Sequence, residues 1–334
     1  DPLPRGVPSA LLPSSDARQP QDRLELARWM VSRENPLTAR VTVNRIWQSH
    51  FGAGIVKTAE DFGLQSEMPS HRELLDWLAV EFVESGWDVQ AMHRLIVTSA
   101  AFNQLSKRSH GLNDPDPENR LISRGPRYRA DGFVIRDLAL QVAGIANDQV
   151  GGPSVKPYQP SGLWESVAAN AGTRYKPDQG DSLYRKSMYT YWKRAVNPPR
   201  QTIFDASGRE VCNVRVRRTN TPLQALVLMN DPTFVEAARN LAQRALQLDA
   251  TDDERLSQLA FWAIAKRPSS STLKVMSRSL SYFRDHYRAD PEAAEKLLAV
   301  GESKPDKQLD ATELAAMTAV AHLILNTDEF ITVE

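Results

Sequence analysis

The sequence predicts a mainly α-helical protein, with a multi-helix, bundle-like body and one loop-rich, partly β insertion. Helix-start signals recur in both halves of the chain, and each precedes apolar residues spaced three or four apart. Between residues 147 and 219, glycine and proline are too frequent for long helices. The chain has 334 residues, 41% of them hydrophobic, and seven tryptophans, which is typical of a folded globular protein.

The N-terminal part begins with a proline-rich stretch, residues 1–20, which predicts an extended arm or linker. A first helical block is predicted over 21–146. Its first helix should cover 23–31 and carry an apolar side. Asn35, followed directly by a proline, has the character of an N-cap, and the helix that it starts should end at Gly52.

The same block contains three further helix signals. Ser70 and Glu73 have the spacing of a capping box, in which each side chain binds a backbone N–H of the other residue. Asp88 is an N-cap signal before the next apolar run. A further helix is predicted over 131–142. Short connections between these helices favour an antiparallel helical layer.

The basic insertion, residues 147–219, separates this block from a second helical block over 220–334. Its aromatic segment 187–193 predicts one short strand. In the second block, Thr221 has the spacing of a capping box and Asp231 starts another helix. The two helical blocks are expected to form one packed domain.

The charge of the insertion is unusual for this chain. The whole sequence balances 41 basic against 41 acidic residues. Residues 184–218 hold nine Lys or Arg and only two acids, Asp205 and Glu210. Such a local excess predicts a site for something anionic or for an acidic partner surface. The alternative is structural, since the arginines could pair with distant carboxylates and fix the insertion to the helices.

Aromatic residues among these cations suit sugars that carry sulfate or carboxylate groups. Arg40 and Asn44 lie with Gln48 on a polar helical stripe, which indicates either a solvated face or the wall of a pocket. The candidate binding residues are Arg40, Asn44, Tyr191, Trp192, Lys193, Arg194, Arg209, Arg215 and Arg218.

A catalytic interpretation rests on Asp205 and Glu210. Two carboxylates among arginines could act as acid and base in glycoside cleavage, if they lie roughly 5–10 Å apart. Asp61 is a further candidate catalytic acid, although a turn role is the favoured explanation for it. If the arginines instead fix the insertion, Arg209, Arg217 or Arg218 should contact a distant carboxylate, for which Asp61 and Asp137 are candidates.

Metal and cofactor signals are weak. The six histidines lack the spacing of a helical zinc site, and His50 is expected to be a hydrogen-bonded core residue. A single cysteine excludes an intramolecular disulfide, and the absence of Cys-x-x-Cys-His excludes covalent attachment of a c-type haem. No metal and no cofactor are therefore predicted in this chain. No apolar run is long enough to predict a membrane span.

Several segments carry a family resemblance: residues 35–41, 43–47, 61–63, 69–78, 94–99, 204–206, 209–212, 218–226 and 325–330. Together they resemble a planctomycete-type secreted domain of unknown function, over nearly the whole chain. The resemblance implies export, hence a secreted or periplasmic location. It also implies a companion domain on the N-terminal side and, in many members, a cytochrome c-like module that would hold a c-type haem outside this chain.

This resemblance names no reaction. At Ser207 and Gly208 the chain departs from the family, which more often has Pro-Asp there. The expected function is that of a secreted accessory domain that recognises anionic partners, such as acidic or sulfated polysaccharide, beside redox or hydrolytic modules. Two alternatives remain open, a carbohydrate-active enzyme that uses an Asp/Glu pair and a purely structural interaction domain. Nucleic acid is a weaker candidate ligand, because the chain is neutral overall.

Overall fold

The computed structural model describes residues 6–14, 18–107, 114–167, 174–215 and 218–334. The mainly α-helical prediction is confirmed, since these residues form fourteen α-helices and one two-stranded sheet. The chain divides into two compact units, Asp1–Tyr128 with Val333–Glu334, and Arg129–Thr332. The predicted helix over 131–142 therefore belongs to the second unit. Part of the predicted arm, residues 1–20, lies outside the described residues.

Among its described residues, the first unit contains four α-helices, α1 (Arg23–Met30), α2 (Thr38–Phe51), α3 (Arg72–Glu84) and α4 (Val89–Val97). Its core forms where α2 packs against α3 and α4. The buried residues at its centre include Val43, Trp47, Leu78, Phe82 and Ile96. By contrast, α1 buries none of its residues, so its predicted apolar side is exposed.

Most helix ends of this unit follow the predicted signals. The Asn35 Oδ1 accepts the backbone N–H groups of Leu37 and Thr38, where α2 begins. Gly52 ends that helix in the left-handed region, with φ of 82°. Asp88 caps α4 as predicted. The capping box at Ser70 and Glu73 is wrong: the Ser70 hydroxyl donates to the Ile55 carbonyl instead, and α3 begins at Arg72.

The second unit contains the remaining ten helices of the described chain. They are α5 (Gly132–Ala143), α6 (Leu163–Val167), α7 (Pro199–Ile203), α8 (Pro222–Asn230), α9 (Pro232–Leu246), α10 (Asp252–Ile264), α11 (Ser270–Ala289), α12 (Pro291–Leu298), α13 (Ala311–Leu325) and α14 (Asp328–Ile331). The central helix is α9, which contacts α5, α8, α10, α12 and α13. Strands β1 (Tyr128–Arg129) and β2 (Thr332–Val333) form the small sheet.

The strand predicted over 187–193 is wrong. Ser187–Tyr189 forms a 3-10 turn, and Thr190 makes only an isolated parallel bridge with Val155. The partner segment cannot continue the ladder, because Val155 lies between Pro153 and Pro157, which have no backbone N–H to donate. The aromatic side chains of the segment pack against cations instead.

Candidate ligand-binding surface on the basic insertion

The insertion is fixed to α5 by two neighbouring residues, Arg136 and Asp137. The buried Arg136 guanidinium donates to the carbonyls of Arg185, at 2.8 Å, and Leu183, at 2.5 Å. The Asp137 carboxylate accepts the backbone N–H of Ser187 at 2.8 Å and its hydroxyl at 2.7 Å. Burial lowers the pKa of Arg136 to about 10, which still leaves it charged at neutral pH. These two residues therefore hold the centre of the insertion in place.

Arg185 is buried and binds the glycine-rich turn that opens the insertion. Its guanidinium donates to the carbonyls of Pro153, at 2.8 Å, Gln149, at 3.2 Å, and Gly151. It also lies 3.9 Å from the centre of the Tyr189 ring. Carbonyl oxygens and a ring face thus replace the carboxylate that a buried arginine would otherwise need.

A second attachment is a buried polar network around Glu236 and Arg239 of α9, which are each 1% exposed. The Glu236 carboxylate accepts the hydroxyls of Tyr184, at 2.9 Å, and Tyr158, at 3.1 Å, and the backbone N–H of Ser303, at 2.7 Å. Arg239 donates to the carbonyl and hydroxyl of Ser303. Burial raises the pKa of Tyr184 to about 12, so its hydroxyl stays a donor. The network ties the insertion to α9.

Asp205 closes the base of the loop 205–219. Its carboxylate accepts from Arg129 Nη2 at 2.6 Å and from the backbone N–H and hydroxyl of Thr219, each at 2.8 Å. The Gln224 side chain adds a 3.2 Å hydrogen bond to the Thr219 hydroxyl. Asp205 has φ of 61°, a strained conformation that these bonds stabilise. Its carboxylate oxygens are therefore engaged in closing the loop.

The exposed part of this loop carries Glu210 and several predicted binding residues. Glu210 and Arg209 are exposed. Arg215 and Arg218 are exposed too, and each has an interaction partner. Arg217 lies outside the described residues. Most of the predicted cationic side chains in this loop are thus exposed, while Asp205 joins the two ends of the loop.

One group of aromatic and cationic side chains, called here the Tyr191 cluster, consists of Lys156, Trp164, Tyr175, Tyr191 and Lys193. The Lys193 ammonium lies 4.4 Å from the centre of the Trp164 ring, and the Lys156 ammonium lies 5.5 Å from that of Tyr191. The ring of Trp164 is 5.9 Å from Tyr191 and 5.1 Å from Tyr175. Within the described chain, neither ammonium group has a carboxylate at ion-pair distance. Tyr191 is 38% exposed.

A second group, the Trp192 cluster, consists of Phe133, Trp192 and Arg209. The Arg209 guanidinium lies 4.6 Å from the centre of the Trp192 ring and 5.7 Å from that of Phe133. The Trp192 indole N–H donates to the Gly208 carbonyl at 3.3 Å. Aromatic rings, and no carboxylate among the described residues, hold the Arg209 guanidinium. That one of Arg209, Arg217 and Arg218 contacts a distant carboxylate stays a prediction, because Arg217 lies outside the described residues. Arg194 is exposed.

Arg40 and Asn44, predicted to share one polar stripe, lie in different environments. Arg40 forms a 2.6 Å ion pair with Asp76. Asn44 is fully buried and bonds both backbone groups of Val56, the N–H at 2.9 Å and the carbonyl at 3.0 Å. The solvated or pocket-lining role is thus wrong for Asn44, which fixes the turn after α2.

The other residues singled out in the first unit have local partners. The Asp61 Oδ1 accepts the Gly63 N–H at 2.6 Å, which is the turn role. His50 Nε2 lies 2.6 Å from His93 Nδ1, so one of the two rings donates to the other. Burial, together with the nearby His93, lowers the pKa of His50. The hydrogen-bonded histidine is confirmed, although its partner was not foreseen.

Two properties of the described residues bear on the kind of site. No helix among them is both long and apolar enough to cross a membrane. No cluster of three or more His, Cys, Asp or Glu side chains suited to a metal ion occurs among them.

Comparison with known families decides the classification. Residues 22–280 match the model of a family described as PSD1, protein of unknown function (DUF1553). The chain belongs to the PSD1 family. No curated protein and no solved structure matches it significantly. Membership in PSD1 agrees with the resemblance found in the sequence motifs, and it assigns no activity.

Proposed function

We propose that this domain binds acidic polysaccharide, carboxylated or sulfated, through the Tyr191 cluster of the basic insertion. The observation that carries the proposal is the pair of ammonium groups, Lys156 and Lys193, held on aromatic rings with no carboxylate partner in the described chain. An anionic group on a ligand would supply the partner that the protein does not. Tyr191, at the surface of the cluster, offers a ring against which a sugar can pack.

The free energies of the contacts favour a ligand-binding role over a purely internal role for these lysines. A cation over an aromatic ring at an exposed site is worth about 0.5–1 kcal/mol. A hydrogen bond to a charged group contributes about 1.5–3 kcal/mol. Each ammonium group has three donors, so it can bind a sulfate or carboxylate without leaving its ring. The ring contacts therefore hold the ammonium groups in position and leave their N–H donors available to a ligand.

The Trp192 cluster offers similar chemistry, with a cation held on aromatic rings. Arg209 is exposed and held by two rings, which leaves its guanidinium donors available for a bidentate contact with a sulfate or carboxylate. A polysaccharide with repeating acidic units could bind the cations of both clusters at once, whereas a single small anion could bind only one of them. Lys156, Lys193 and Arg209 are therefore the residues proposed to bind the anionic groups of the ligand.

The catalytic alternative has less support. Every carboxylate oxygen of Asp205 accepts a hydrogen bond from Arg129 or Thr219. A base that must take up a proton during the reaction needs a free lone pair facing the substrate. Binding without cleavage is thus the function that this geometry supports best. By the family resemblance, we place the domain outside the cytoplasm, beside a companion domain that carries redox or hydrolytic chemistry.

The test compares two double variants that remove the same charge. Lys156→Gln/Lys193→Gln should weaken binding of heparin or polygalacturonate about tenfold or more, and wild-type affinity should fall with added salt. Lys274→Gln/Lys307→Gln, on exposed residues outside the insertion, is the control and should bind like wild type. Isothermal titration calorimetry against these polymers and neutral dextran measures the difference. Equal losses in both variants, or equal binding of dextran, would refute the proposal.

A further inference from the structure

A separate cavity lies among α10, α11 and α13, within the second unit. Its volume is about 400 Å³, which is in the range of small-molecule sites. The walls are mainly apolar and include Ile264, Val275, Met276, Val320, Leu323 and Ile324. These residues come from facing sides of three long helices, so the walls are set by the packed core.

Two of these wall residues are exposed to solvent. Val275 is 60% exposed and Leu323 is 51% exposed. Apolar surface in water costs roughly 25 cal/mol per Å² relative to a covered state. A molecule with an apolar body that fills the cavity would gain this free energy without any rearrangement of the helices.

One end of the cavity is polar and mainly basic. Lys266 and Arg267, in the connection between α10 and α11, line it together with Ser269 and Thr272 at the start of α11. The first turn of a helix adds partial positive charge. Arg267 lies 5.4 Å from the centre of the Phe261 ring, whereas Lys266 has no ion-pair partner within the described chain.

An acidic residue, Glu329, also lines the cavity. The Arg284–Glu313 ion pair, at 2.5 Å, joins the C-terminal part of α11 to the first turn of α13, so the two helices run antiparallel. Glu329 follows α13 and therefore lies near the start of α11. The net charge at this end, with two cations and one carboxylate, remains positive.

We propose that this cavity binds a small molecule with an apolar body and a single anionic head group. The body lies between α11 and α13, and the head group binds Lys266, in the connection that precedes α11. The site is independent of the polysaccharide surface, because it shares no residue with the insertion.

The experiment measures binding of three ligands with the same ten-carbon chain. The two ionic ligands are used below their micelle concentrations, and decanol is used below its solubility limit. Decanoate should bind more tightly than decanol, and decanol more tightly than decyltrimethylammonium. Lys266→Gln should weaken decanoate roughly two- to fivefold and leave decanol unchanged. Lys274→Gln, on α11 but outside the cavity, should change neither. Equal affinity for all three ligands, or the same loss in both variants, would overturn the head-group assignment.

The apolar part of the site is tested by filling it. Val275→Trp should abolish binding of decanoate, while Val150→Trp, at an exposed position of the insertion, should not. Leu323→Trp is a second variant that fills the cavity and has the same expected loss, and circular dichroism checks that each variant is folded. Unchanged binding in both cavity variants would overturn the proposal. A dimer that dissociates on Val275→Trp, seen by sedimentation, would also overturn it in favour of a second copy of the chain.

Discussion

At the scale of single residues, the decisive contacts are made by polar side chains that bind far along the chain. Asn44 bonds both backbone groups of Val56, and Glu236 gathers two tyrosine hydroxyls and Ser303. Buried polar groups need such partners, because an unpaired one costs about 1–3 kcal/mol. These residues therefore determine how loops are attached to helices.

The Glu236 network gives a prediction for stability. Glu236→Ala removes the carboxylate beside the buried Arg239 and should lower the free energy of unfolding by about 3–5 kcal/mol. Glu292→Ala is the control, since its exposed pair with Lys296 within α12 is worth only about 0.3–0.5 kcal/mol. Urea denaturation of both variants measures the difference. Similar losses in the two variants would show that the buried pair has no special role.

At the scale of elements, the sequence predicts helix ends well because their signals are local. Asn35, Asp88 and Asp231 each bind backbone N–H groups two or three residues ahead, so residue type and spacing suffice. The insertion depends instead on distant partners. Nothing in the residue spacing around Thr219 indicates that Asp205 binds it. The aromatic pattern at 187–193 predicted a strand, but its proline-flanked partner segment allows only the single bridge between Thr190 and Val155.

The loop 205–219 allows a test at this scale. Asp205→Ala removes the bonds to Arg129 and Thr219, so the loop should open and trypsin should cleave after Arg209 severalfold faster than in wild type. Asp285→Ala, which removes an exposed pair within α11, is the control and should leave the cleavage rate unchanged. Mass spectrometry of timed digests locates the cuts. An unaltered rate after Arg209 in Asp205→Ala would contradict the closing role of Asp205.

At the scale of the molecule, each unit has its own buried centre. The first depends on α2 with α3 and α4, and the second on α9 with α5 and α13. The sequence predicted one packed body of two helical blocks, with a boundary near 146. That the two helical blocks form one packed domain stays a prediction. The compact units separate between Tyr128 and Arg129, and α5 belongs to the second unit because it packs on α9. Packing partners of this kind are not encoded in local periodicity.

The second unit should therefore fold on its own. A fragment of residues 129–332 is continuous in sequence and retains α9 with all the helices that pack on it. We expect a helical circular dichroism spectrum and a single cooperative thermal transition. A broad, non-cooperative transition would show that the unit depends on the rest of the chain.

The closed base of the loop 205–219 also has a practical consequence. Asp205 and Thr219 fix the two ends, so changes between them need not displace α8. Cys212 lies within this span, is exposed, and is the one cysteine of the sequence. A maleimide dye would therefore attach at a single known position beside Arg209. A change in the emission of the dye would then indicate that a ligand has bound near this loop.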